Sequence, residues 1–152
     1  MTADPIPVIE YEAMVFGRHL ASLPAGTRRR GGVLDQSAYT LLSLLQASGP
    51  ASIGDLGAVT GLDASTLHRQ TTGLVRSGYA ERIADPEGGR ARKFRLSPEG
   101  ERVLTEERHA SRDALTQVTS DWTAEDRAAL ADLLSKFNRS IEARSGRTWP
   151  RP

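Results

Sequence analysis

The chain of 152 residues holds no cysteine. That absence excludes disulfides, thiolate metal sites and oxidant sensing through a thiol, and it fits a cytoplasmic protein. No apolar run approaches the roughly 20 residues that cross a bilayer. The N-terminus also lacks the basic-then-apolar pattern of an export signal. Histidine is scarce. His19, His68 and His109 stand far apart, with no Ser/His/Asp set, Gly-rich phosphate loop or ligand cluster around them. His109 lies near Glu106 and Glu107, but without a second histidine at ligand spacing a solvated helix face accounts for it. No catalytic residue, metal or cofactor is expected, and the chain does not read as an enzyme.

What is present is a local concentration of cations. The formal net charge is +1 and says little about partners, and 38% hydrophobic content at this length allows one domain with a real core. Between Ala64 and Leu96, however, seven Arg/Lys face three acidic residues, Glu81, Asp85 and Glu87. A basic patch on a near-neutral chain is the electrostatic footprint of duplex binding.

That patch coincides with a helical pattern. Asp63 is placed to cap a helix in which Leu67, Thr71 and Leu74 share one side. Ser65, His68, Arg69, Thr72 and Arg76 share the other, a short polar and cationic stripe suited to the major groove. A solvated surface face is the plainer alternative, and the neighbouring segments decide against it. Ser52 and Asp55 form a capping-box pattern ahead of a short helix ended by Gly61, so two helices meet at a tight turn. Tyr79–Ala84 and Ala91–Leu96 then read as strands around the turn Asp85-Pro86-Glu87-Gly88-Gly89-Arg90. A helix-turn-helix followed by a basic hairpin is a winged helix. The fold class expected is mainly α with a small β-hairpin, a winged helix-turn-helix flanked by N- and C-terminal dimerisation helices.

The flanks follow from periodicity. Residues 1–6 read as disordered, and Pro7–Leu23 as a first helix carrying Val8, Tyr11, Val15 and Leu20. Arg28–Arg30 lie in the linker that follows, able to touch a phosphate backbone or simply to be solvated. Asp35 caps a second helix with Ala38, Leu41, Leu42 and Leu45 inward. Ser97-Pro98-Glu99 opens a long helix, and Thr123 caps a last one with Leu130, Leu133, Leu134, Phe137 and Ile141 in a stripe. The expected parts are 1–34 (N-terminal helix and linker, dimerisation), 35–96 (DNA-binding lobe), 97–145 (C-terminal helices, dimerisation) and 146–152, a loose tail. Apolar outer helices without a partner in the centre imply a two-fold dimer with recognition helices about 34 Å apart.

Residues 34–104 resemble the MarR family of bacterial transcriptional regulators. Ser65-Thr66-Leu67-His68-Arg69 resembles its "stvsr" recognition helix, and Leu74 through Arg82 its "L…GLv.R". Asp85-Pro86 to Arg90, then Leu96-Ser97-Pro98-Glu99-Gly100, resembles "DprDrR…LTpeG". The resemblance implies a homodimer on a pseudo-palindromic double-stranded operator, a repressor relieved by a small-molecule effector. DNA contacts would come from Ser65, Thr66, His68, Arg69, Thr72, Arg76, Arg90, Arg92 and Lys93. Arg90 would approach the minor groove, held by Asp85. An effector cleft would draw on Phe16, His19, Tyr39 and Arg102, of which Phe16 and Tyr39 also read as core residues. Glu87 stands where the family often has Arg, Gly88-Gly89 replaces Asp-Arg, and Gln70 and Thr71 replace apolar residues. The alternative function is a winged helix used for protein–protein contact without DNA.

Overall fold

A computed structural model describes residues 4–20 and 34–151. Eight elements follow one another: α1 (Ile6–Leu20), α2 (Gln36–Ser48), α3 (Ile53–Thr60), α4 (Ala64–Arg76), β1 (Ala80–Ile83), β2 (Lys93–Leu96), α5 (Pro98–Val118) and α6 (Ala124–Ser145). The expected first helix ends at Leu20 as far as it is described. Its last three residues and Arg28–Arg30 lie outside the described residues.

Each helix starts where a short polar side chain can take up a free backbone N–H. Asp35 accepts from Ala38, Ser97 from Gly100 and Thr123 from Asp126, at 2.8, 2.9 and 3.1 Å. At α3 the capping box is reciprocal, with Asp55 N–H on Ser52 and Ser52 N–H on the Asp55 carboxylate. Gly61 ends that helix in the left-handed region at φ +72°, which sets the tight turn into α4.

The core sits between α2, α4, the hairpin and the first half of α5. Leu41, Leu42 and Leu45 are buried on α2 as the spacing predicts, while Ala38 is half-buried. Leu44, which that face does not include, is buried too, because α2 is packed by β2, α4 and α5 from more than one side. Leu56, Leu67, Leu74, Ala80, Phe94, Val103 and Leu104 complete the cluster, which also takes in Leu34. The strands pair antiparallel with Arg82 opposite Phe94 and Glu81 opposite Arg95. Ala51 adds one bridge to Phe94, so the hairpin is fastened to the segment before α3.

Two junctions fix the long helices. At the base of the hairpin the Ser97 hydroxyl donates to the Gly78 carbonyl at 2.6 Å, and Gly100 is buried against Tyr79. A Cβ on Gly100 would lie 1.9 Å from the Tyr79 carbonyl oxygen, so only glycine lets α5 leave here. Between α5 and α6 the Arg127 guanidinium donates to the Thr119 carbonyl at 2.6 and 3.1 Å.

The tail differs from expectation. It does not trail free: Gly146 turns the chain at φ +68°, and Trp149 packs against the core. The Trp149 N–H and the Arg151 guanidinium both donate to the Glu142 carboxylate. Six residues, Gly146 to Arg151, are too few to carry a period, so the anchoring of one tryptophan was not readable from them.

Candidate nucleic-acid interface

Helix α4 has the split the sequence predicts. Leu67, Thr71 and Leu74 are buried, and Ser65, His68, Arg69 and Arg76 are exposed. Thr71 fits an apolar site because its hydroxyl donates back to the Leu67 carbonyl at 2.7 Å, satisfying itself within the helix. Gln70 is the less settled departure, with a buried side-chain oxygen that finds no partner.

At the start of α4, Asp63 gathers three donors. Its carboxylate accepts from the Ser65 hydroxyl at 2.6 Å, and from the Thr66 N–H and hydroxyl at 2.8 Å each. These bonds, the Ser65 hydroxyl foremost, hold its carboxyl well below the usual range. Both hydroxyl protons are thereby turned inward, and what Ser65 offers outward is lone pairs.

The hairpin stands beside this helix. Its turn closes with the Gly88 N–H on the Asp85 carbonyl at 3.0 Å, Gly88 taking φ +82°. Arg82 reaches back from β1, donating to the Thr72 hydroxyl at 3.2 Å with its guanidinium carbon 5.7 Å from the Phe94 ring centroid. His68, Arg82 and Arg92 line one concave strip between α4, the start of α3 and the hairpin.

Among the described residues, Arg69, Arg76, Arg90 and Arg92 have no carboxylate partner. Three other arginines are paired: Arg95 with Glu81, Arg102 with Glu99 and Glu106, Arg151 with Glu142. Four exposed guanidiniums without a carboxylate partner thus stand on one helix and one hairpin.

Comparison with known proteins agrees with this geometry. Residues 32–91 match the profile of the MarR family. The chain is 30% identical over 138 residues to an uncharacterised HTH-type transcriptional regulator, YxaD, of Bacillus subtilis (strain 168), covering 91% of this chain and 96% of that one. The chain belongs to the MarR family of transcriptional regulators. A crystal structure of a probable transcriptional regulator from Pseudomonas aeruginosa superposes with TM-score 0.68 at 28% identity, over 85% of this chain and 96% of that one. The fold is shared with a mutant MarR from E. coli complexed with operator DNA, at TM-score 0.68 and 22% identity, over 87% and 94% of the two chains.

Within this MarR-family chain some expected site residues are placed otherwise. Lys93 is not free: its ammonium lies 3.6 Å from Asp85 and 3.8 Å from Asp55, and its side chain is only 19% exposed. It braces the hairpin against the cap of α3. The Ser52 backbone N–H first, then the Ser52 hydroxyl and Lys93, hold the Asp55 carboxyl below its ordinary value. Asp85 does not hold Arg90. Its carboxylate accepts the Glu87 N–H, faces Lys93 and lies against Gly89, because a half-buried ammonium is the nearer and less hydrated partner. Thr72 is half-buried beneath Arg82 and Thr66 is half-buried at the cap, so neither presents a bare hydroxyl.

The expected effector residues are dispersed over three helices. Phe16 and His19 lie exposed on α1, and Tyr39 packs against the core from α2. Arg102 is bound by Glu99 and Glu106 at 2.6 Å each. Arg82 is the residue that sequence reading left out of the site. Its signal was the final Arg of the segment from Leu74 to Arg82, but its stacking on Phe94 needed the strand register.

Proposed function

We propose that this MarR-family chain is a dimeric, sequence-specific DNA-binding regulator, acting as a repressor relieved by a small ligand. One observation carries the DNA-binding part: α4 and the hairpin together expose four guanidiniums without carboxylate partners, Arg69, Arg76, Arg90 and Arg92, where a duplex would supply phosphates and guanine edges. The solved complex of a mutant E. coli MarR with operator DNA, on the same fold, supports DNA as the partner. In this reading the lobe of residues 35–96 reads DNA, with α4 in the major groove and Arg90 and Arg92 on the backbone.

The dimer reading rests on the outer helices. Ile6, Tyr11, Met14 and Phe16 of α1 are exposed, as are Leu115 and Val118 of α5 and Leu133, Phe137 and Ile141 of α6. Helices α1 and α6 bury no residue in the single chain. Apolar area on that scale is characteristic of a permanent interface. Residues 1–34 and 97–145 would supply it, and two-fold symmetry would present two α4 helices to one operator. Repression and ligand relief follow from the family alone.

The test is to recover bound DNA from the chain's own genome and titrate it at two salt concentrations. Affinity should fall steeply with salt and be far weaker on random duplex. Flat salt dependence would leave the winged helix as a protein-contact module, and salt-dependent binding without selectivity would remove sequence specificity from the reading.

A further inference from the structure

The tail and α6 together place a second fastening on the reading lobe. Helix α6 buries no residue, so its attachment rests on its two ends. At the N-terminal end Arg127 holds the Thr119 carbonyl. At the other end the tail folds over. The Arg147 guanidinium lies where a side chain on Gly61 would be, 2.9 Å from that Cβ position, and Gly61 is the turn of the helix-turn-helix. Trp149 enters the core margin, while its N–H and Arg151 grip Glu142. The Arg151 hydrogen bond, chiefly, holds the Glu142 carboxyl below its usual value. Val59 and Thr60 of α3 and Asn138 and Ile141 of α6 line the same cleft as the tail.

Resting on the DNA-binding and dimer readings above, we propose that residues 146–151 are a strap that fixes the angle of α6 to the reading head, with Trp149 and Glu142 as positioning residues for operator half-site spacing. The lever makes this consequential. At 22 residues α6 is about 33 Å long. A swing of about 5° on the Arg127 pivot displaces its far end by about 3 Å, close to the rise of one base pair. A lobe held at one end of α6 tolerates such a swing. One held at both ends does not, and the spacing between two heads is then set to the base pair.

The experiment uses the full chain and its recovered operator, with the central spacer unchanged, lengthened by one base pair and shortened by one. Wild type should bind the natural spacer about tenfold more tightly than either alternative. Trp149→Ala, and separately Arg151→Glu, should reduce that preference to about twofold while the protein stays dimeric and binds random duplex as before. The double exchange Glu142→Arg with Arg151→Glu rebuilds the ion pair but not the Trp149 backbone bond, and should restore part of the preference lost in Arg151→Glu. Melting temperature is recorded for every variant, so lost stability is separated from lost spacing selectivity. Equal weakening on all three spacers, with the preference intact, would make the tail a stabilising element and overturn the strap. A wild type indifferent to spacing would overturn it as well. A wild type without salt-dependent binding to any duplex would overturn the DNA-binding reading, and the strap with it.

Discussion

Asp63 decides which way two hydroxyl protons point, and that constrains what the first turn of α4 can recognise. With Ser65 and Thr66 donating to it, Ser65 would, in the proposed DNA complex, present an acceptor suited to the amino group of adenine or cytosine. Arg69, one turn on and unpaired, is the complementary donor. Arg69→Ala should cost about 1–3 kcal/mol on the operator if its contact is to a base edge. The check is a parallel titration on random duplex, where an equal loss would assign Arg69 to the backbone. Glu87 faces solvent at the hairpin tip, where its charge would oppose phosphate if the tip lies along DNA. Glu87→Arg should tighten binding to all duplexes alike and steepen log affinity against log salt by roughly one unit per phosphate gained. Unchanged plots would place the tip off the DNA. At this scale the caps were legible, since an Asp before a helix has one common use. The bracing role of Lys93 was not, because nothing in the chain shows Asp55 and Asp85 converging on it.

Elements differ in how much they owe to their own residues. The cap of α4 is local, and its pH dependence follows from Asp63 alone. The folded carboxyl lies below its ordinary 3.8, so its contribution is complete above that value and is lost as pH falls through the lowered one. Asp63→Asn keeps a capping oxygen without the titration. Its melting temperature should therefore fall less than wild type's on acidification below about pH 4, as thermal scans across that range would show. The start of α5 is not local. Gly100→Ala would drive a methyl into the Tyr79 carbonyl and should cost on the order of 3 kcal/mol, read by chemical denaturation. A cost below 1 kcal/mol would mean the junction can open. Helix existence and the hairpin were readable from period and capping, and the two strands came out shorter than expected at both ends of the turn. The division of α5 was not readable. Val103 and Leu104 serve the lobe while Leu115 and Val118 face outward, and both sets obey the same helical spacing.

For the whole molecule the two kinds of surface are kept apart. Arg69, Arg76, Arg90 and Arg92 stand exposed on α4 and the hairpin, whereas most of the exposed large apolar side chains belong to α1, the far half of α5 and α6. Leu133 and Phe137 are 63% and 49% exposed, so Leu133→Glu with Phe137→Glu removes no core contact of the single chain. The pair should shift the protein to a monomer by sedimentation, with operator affinity reduced to that of one head. A variant still dimeric would move the interface to α1.

The same separation has a genetic consequence for the proposed dimer. An allele carrying Arg69→Ala makes subunits that read poorly but still pair, so each captures a sound subunit in a mixed dimer with one working head. With equal expression, random pairing leaves about a quarter of the dimers intact, by the symmetry of a two-subunit assembly. Alleles at the reading face are then dominant. Alleles at Leu133 and Phe137 make subunits that capture nothing, and a single sound copy masks them.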